Sequence, residues 1–123
     1  IIPLQVSAPF HSSLMKPAAE KLSEILNTIE IEDMTIPVVT NVEATPNSDK
    51  SRVKELLIRQ VTAPVRWTES IKTMLEAGVN TFIELGPGNV LAGLMKRIEK
   101  KATVISVNSI EGVDKALTEL EKV

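Results

Sequence analysis

The sequence predicts an α/β fold with a largely parallel sheet covered on both faces. Strand-like apolar runs alternate along the chain with longer stretches of helical periodicity, the pattern of strands joined by helical crossovers. Proline and glycine punctuate the junctions between them. With 123 residues, 43% of them apolar, the chain can build the core of one domain, or it forms a piece of a larger one.

Taken in order, residues 1–6 read as a short buried strand. From 14 to 29 the apolar positions Leu14, Ala18, Leu22, Ile25, Leu26 and Ile29 recur at helical spacing. Ser12 or Ser13 can cap this helix, and Pro17 is tolerable there only because it falls in the first turn. "IPVVTNV" (36–42) is strand-like and is closed by the turn signals of "ATPNSD". Val53, Leu56, Leu57 and Val61 mark a second helix, which must end before Pro64 because proline pushes Ala63 out of the helical region. Ile71, Met74 and Leu75 mark a third helix, with Gly78 as its C-terminal cap. "NTFIEL" (80–85) is a strand, followed by "GPG" and a helix carrying Val90, Leu91, Leu94, Met95 and Ile98. "TVISV" (103–107) is the last strand, and Val113, Ala116, Leu117 and Leu120 line a final amphipathic helix. Trp67, at the start of the third helix, reads as a packing anchor.

Composition excludes several classes of function. A net charge of −2 and the lack of a basic run argue against nucleic-acid binding. Without cysteine there is no disulfide framework, zinc–thiolate cluster or thiol nucleophile, which fits a reducing compartment such as the cytoplasm. No apolar run approaches membrane-spanning length. The chain opens "IIPLQV", without Met and directly in strand-like sequence. That start reads as a segment of a longer protein rather than as a processed mature terminus.

In parallel α/β sheets the working residues gather in loops beyond the carboxyl ends of strands. His11, the single histidine, falls in such a loop in "SAPFHSSLMKP", and "ELGPG" (84–88) falls in an equivalent one. Histidine suits general acid–base work near neutral pH, yet a lone histidine serves equally as a cap or a surface residue. Gly86 and Gly88 flank Pro87 before a helix, where an anion could bind or a tight turn could simply close.

The surroundings of His11 narrow the choice. "VSAPFHSSLMKPAAEKL" resembles the histidine motif of malonyl-CoA:acyl-carrier-protein transacylases. "IPVVTNVEA", "LLIRQVTAPVRWTESI" and "GVNTFIELGPGNVLAGLMKRI" continue the likeness in the family's order and spacing, over roughly residues 4–98. The resemblance implies an α/β-hydrolase-like parallel-sheet core, the acyltransferase fold, of which residues 1–123 would be one partial domain: the C-terminal segment, without most of the inserted ferredoxin-like subdomain. It also implies malonyl transfer from malonyl-CoA to the phosphopantetheine thiol of acyl carrier protein through a malonyl-serine intermediate, with no bound cofactor or metal.

By the same resemblance, His11 is the base and the main-chain carbonyl of Gln60 orients it. A helix end suits that role, because its last carbonyls lack intrahelical partners. Phe10 leans the site towards malonyl or simply packs. Asn41 lines the site or bonds the turn backbone, and Lys96 and Arg97 receive the acidic carrier protein or form a solvated helix face. Trp67 keeps its reading as packing. The family's nucleophile elbow is absent: none of Ser7, Ser12, Ser13, Ser23, Ser48, Ser51, Ser70, Ser106 and Ser109 lies in a G-x-S-x-G setting. The expected partners are therefore malonyl-CoA, acyl carrier protein and the missing N-terminal portion of the same enzyme, and the chain alone should be inactive and either marginally stable or prone to associate. Two rivals stand beside this reading. One is a non-catalytic α/β binding module. The other is an acyltransferase domain of a polyketide or fatty acid synthase, which the charged amphipathic ending "LTELEKV" disfavours against a stand-alone enzyme.

Overall fold

A computed structural model describes residues 8–121, so the strand expected at residues 1–6 lies outside the described residues. The chain divides into two units, Ile1–Thr73 and Met74–Val123.

In the first unit a short 3₁₀ turn, Ser13–Met15, leads into α1, Lys16–Asn27. Neither Ser12 nor Ser13 caps α1 as expected. Ser12 Oγ donates instead to the Pro9 carbonyl at 2.7 Å, and α1 starts behind Met15 with no side-chain cap. Pro17 sits in the first turn, where its missing N–H costs nothing. The strand predicted over 36–42 shrinks to β1, Val38–Val39. It pairs antiparallel with β2, Pro46–Asn47, inside the segment expected to be all turn. The ladder stays short because Pro46 has no N–H to donate and Ala44 turns the chain at φ 57°. Asn47, 6% exposed, donates through Nδ2 to the Asp49 carbonyl at 3.0 Å, tying the hairpin to the next helix.

That helix, α2, spans Lys50–Thr62, and the Asp49 side chain caps it by accepting from the Ser51 amide at 2.8 Å. It ends before Pro64 as expected, with Ala63 extended at φ −100°, ψ 150°. Helices α1 and α2 pack together, and Leu56 and Leu26 are buried, at 2% and 8% exposed. Helix α3, Trp67–Glu76, crosses from the first unit into the second. Gly78 ends it at φ 90°, its amide bonded to the Leu75 carbonyl and that of Val79 to Met74. This is a Schellman cap, which glycine adopts without strain.

The second unit holds β3, Thr81–Leu85, parallel to β4, Thr103–Val107, with Thr81 opposite Thr103 and Leu85 opposite Val107. The predicted parallel pairing is thus present as a two-stranded sheet among the described residues. Helix α4, Val90–Ile98, and helix α5, Ile110–Leu120, both contact β4. Ser109 caps α5 by accepting from the Gly112 amide at 3.2 Å. Ile105, Val107 and Ala116 form the buried cluster between β4 and α5. Leu85, Val90 and Ile110 stay 78%, 70% and 85% exposed, so apolar surface remains uncovered.

Candidate active site

His11 lies in the turn just ahead of α1. Its backbone is left-handed, φ 56°, one of two non-glycine residues so placed among those described. For a residue with a Cβ that conformation costs roughly 1–2 kcal/mol. Local bonds hold it: the Phe10 amide donates to the Ala8 carbonyl at 2.9 Å, and the Ser12 hydroxyl reaches back to Pro9. Backbone strain held in place this way is characteristic of working sites.

His11 Nδ1 lies 2.9 Å from the main-chain oxygen of Gln60, 49 residues away in sequence. A carbonyl can only accept, so Nδ1 carries the proton, and in the neutral ring Nε2 keeps its lone pair. The sequence explains why this carbonyl is free. Inside a helix the Gln60 oxygen would accept from the amide four residues on, but that residue is Pro64 and has no N–H. The exposed imidazole can therefore take a proton at Nε2 while Nδ1 stays tethered.

Phe10 is 57% exposed beside His11. The main-chain oxygen of Asn41 accepts from the Arg66 amide at 3.0 Å. Asn41 also lines a cavity of about 380 Å³ together with Val38, Thr40, Leu56 and Gln60. The hydroxyl of Thr40 and the indole N–H of Trp67 are buried without a partner among the described residues. His11, Phe10, Gln60 and Asn41 all belong to the first unit. Lys96 and Arg97 are exposed in the last turn of α4 in the second, where positive charge complements the helix dipole.

Two groups escaped the sequence reading. The first is a charged cluster around Glu43, in the β1–β2 turn. Its carboxylate accepts from Arg52 Nη2 at 2.8 and 3.0 Å and from Arg59 Nη1 at 2.7 Å. Arg59 also reaches Glu55 at 2.9 Å, and Arg66 pairs with Glu69. The hydrogen bond from Arg52, then that from Arg59, holds the Glu43 carboxyl below the usual carboxylate range. Arg52 and Arg59 stand two helical turns apart on one face, a spacing that could have flagged an acidic partner.

The second is Glu84 on β3. It accepts from the Leu91 and Ala92 amides at 3.0 and 3.1 Å and from the Ser106 hydroxyl at 3.1 Å. Burial pushes its carboxyl up, but the bonds from Leu91, Ala92 and Ser106 outweigh it and the net shift is downward. This bears on the open question about "GPG". The Leu91 and Ala92 amides at the start of α4 are taken by the protein's own carboxylate, and the loop turns with Gly86 and Gly88 at φ 132° and 86°, as the tight-turn reading expects. Among the described residues no cluster of His, Asp or Glu side chains could hold a metal ion, and no helix is long and apolar enough to cross a membrane.

No family model matches the chain. It is 48% identical over 121 residues to a malonyl CoA-acyl carrier protein transacylase of Bacillus subtilis (strain 168), covering 98% of this chain and 38% of that protein. Its fold is similar to that of the MCAT of Streptococcus pneumoniae, with a TM-score of 0.88 and 45% identity over 99% of this chain and 39% of that one. It is equally similar, at a TM-score of 0.88 and 42% identity, to a malonyl-transacylase solved in complex with a type II PKS acyl-carrier protein, over 96% of this chain and 38% of that one. The chain thus spans somewhat more than a third of the length of the relatives it matches. At these identities the chain belongs to the malonyl CoA-acyl carrier protein transacylase family.

Proposed function

We propose that this chain supplies the histidine half of a Ser–His acyl-transfer site that loads malonyl units onto acyl carrier protein. The observation that carries the reading is the bond from His11 Nδ1–H to the Gln60 carbonyl. It does for this histidine what a triad carboxylate does elsewhere: it selects the tautomer whose Nε2 faces outward as a base.

In this reading His11 takes the proton of a serine hydroxyl supplied by a part of the enzyme outside these residues. The serine oxygen attacks the malonyl thioester, and His11 returns the proton to the departing coenzyme A thiol, leaving a malonyl-serine ester. In the second half His11 deprotonates the phosphopantetheine thiol of the carrier protein, which takes the malonyl group and frees the serine. The similarity to a transacylase solved with its carrier protein supports that partner. Lys96 and Arg97 would meet its acidic surface, Phe10 would border the malonyl group, and Asn41 would line the same region. The chemistry asks for no metal or cofactor.

The fold assignment that goes with this reading is the C-terminal segment of an α/β-hydrolase-like core in a stand-alone cytoplasmic enzyme. The uncovered Leu85, Val90 and Ile110 would pack against the remainder. Alone, the 123-residue chain would be inactive for want of the serine. The test is malonyl transfer from malonyl-CoA to carrier protein by the full-length gene product. The His11→Ala variant should lose about 10²–10⁴-fold in rate, and Lys96→Glu with Arg97→Glu should raise KM for the carrier protein alone. Full transfer by the His11→Ala variant would overturn the role of His11 as base, and a parent protein inert with malonyl-CoA would leave a binding module in place of the enzyme.

A further inference from the structure

We propose that Glu43 is a positioning residue for His11, acting through Arg59 and the Gln60 carbonyl; this rests on the reading of His11 as the base. Glu43 has no reach to a substrate role of its own, since its carboxylate is consumed by Arg52 and Arg59. What it holds is the segment that presents the oxygen accepting from His11. Arg59 immediately precedes Gln60, and the Glu43 carboxylate fixes its guanidinium at 2.7 Å. On the far side of Pro64, Arg66 Nη1 donates to the Glu43 carbonyl at 3.0 Å, and the Arg66 amide donates to Asn41 at 3.0 Å. The 41–43 turn therefore grips the chain both before and after the one carbonyl that proline has freed.

The cluster is better understood as geometry than as stability. The arginines are 41–46% exposed, and ion pairs that open to water contribute little to folding. The turn itself is anchored: Ala44 is 3% exposed in a left-handed conformation, and Thr73 Oγ1 donates to its carbonyl at 2.8 Å. The end of α2 is a frayable helix terminus, by contrast, and without an anchor its last peptide planes can rotate. Rotation of the Gln60 plane withdraws the acceptor from Nδ1. The proton is then free to move to Nε2, which removes the lone pair the base needs.

The experiment uses full-length enzyme containing isotope-labelled histidine, with the His11 resonances identified by their loss in His11→Asn. Nitrogen NMR reports which ring nitrogen carries the proton, and steady-state transfer reports kcat and KM. Glu43→Ala should move the His11 proton from Nδ1 towards Nε2. It should also lower kcat on the order of tenfold to a hundredfold, the scale of a small misplacement at a reacting group, with KM for malonyl-CoA within about twofold. Glu55→Ala, which removes the partner of Arg59 lying outside the hairpin, should change neither. If Glu43→Ala does not yield folded enzyme, the near-isosteric Glu43→Gln carries the same test. Retention of Nδ1–H with unchanged kcat, or equal losses in the Glu43 and Glu55 variants, would overturn the proposal. Unimpaired transfer by His11→Asn would instead overturn the reading of His11 as base, while the tautomer of His11 in the Glu43 variants still answers the positioning question.

Discussion

Replacing His11 by glycine and by alanine should separate the cost of its conformation from its chemistry. Both variants lose the side-chain bond to Gln60, a loss of about 0.5–1.5 kcal/mol for a hydrogen bond of this kind. Alanine keeps the strain of a Cβ at φ 56°. Glycine relieves roughly 1–2 kcal/mol of it, and gives back about 0.4–1 kcal/mol through the greater freedom of its unfolded chain. His11→Ala is therefore destabilised, and His11→Gly stays near the parent, with a gap of about 0.5–1 kcal/mol between the two. Both should lose malonyl transfer by about 10²–10⁴-fold. The assay is urea unfolding of the full-length protein, comparing midpoints at constant m-value, alongside single-turnover transfer. An alanine variant at least as stable as the glycine variant would refute the strain argument. A glycine variant that still transfers malonyl would refute the role of the imidazole.

Pro64→Ala restores an amide four residues after Gln60, which competes with His11 for the carbonyl; a hydrogen bond is worth about 1 kcal/mol, so transfer should fall about fivefold while the carrier-protein KM holds. Leu56→Ala, at a position of α2 that is 2% exposed and lines the cavity with Val38 and Thr40, should lower stability by about 2–5 kcal/mol in the same urea assay. Acid should weaken the fold through Glu43 and Glu84, whose carboxyls are held below their ordinary value of 4.5. A depressed carboxyl stabilises fully above its unfolded value, and that contribution is lost as pH falls from there through the folded value. Unfolding midpoints should therefore decline below pH 4.5, and less steeply in Glu43→Gln and Glu84→Gln; an unchanged slope in both variants would remove these two groups from the account.

Features that depend on neighbours within a turn or so are legible in the chain alone. The end of α2 is written in Pro64 and the end of α3 in Gly78. The strand at Thr103–Val107 agrees with its expected bounds to the residue. Local chemistry also determined that the Gln60 carbonyl would lack an intrahelical donor, because residue 64 is proline. The likeness to a known family supplied the link from that carbonyl to His11; no periodicity could have.

The remaining features arise from packing between distant segments. The β1–β2 pairing was hidden because Pro46 and Asn47 carry turn propensities, and only the hairpin's seat on α2 makes them a strand. The bond between His11 and Gln60, the clamp of Glu84 on α4 and the choice of Glu43 as the partner of Arg52 and Arg59 have no local signal that names both ends. They join residues 7 to 49 positions apart. Which donor meets which acceptor over such distances depends on the path of the chain between them, and that path is set by packing rather than by the residues at its two ends.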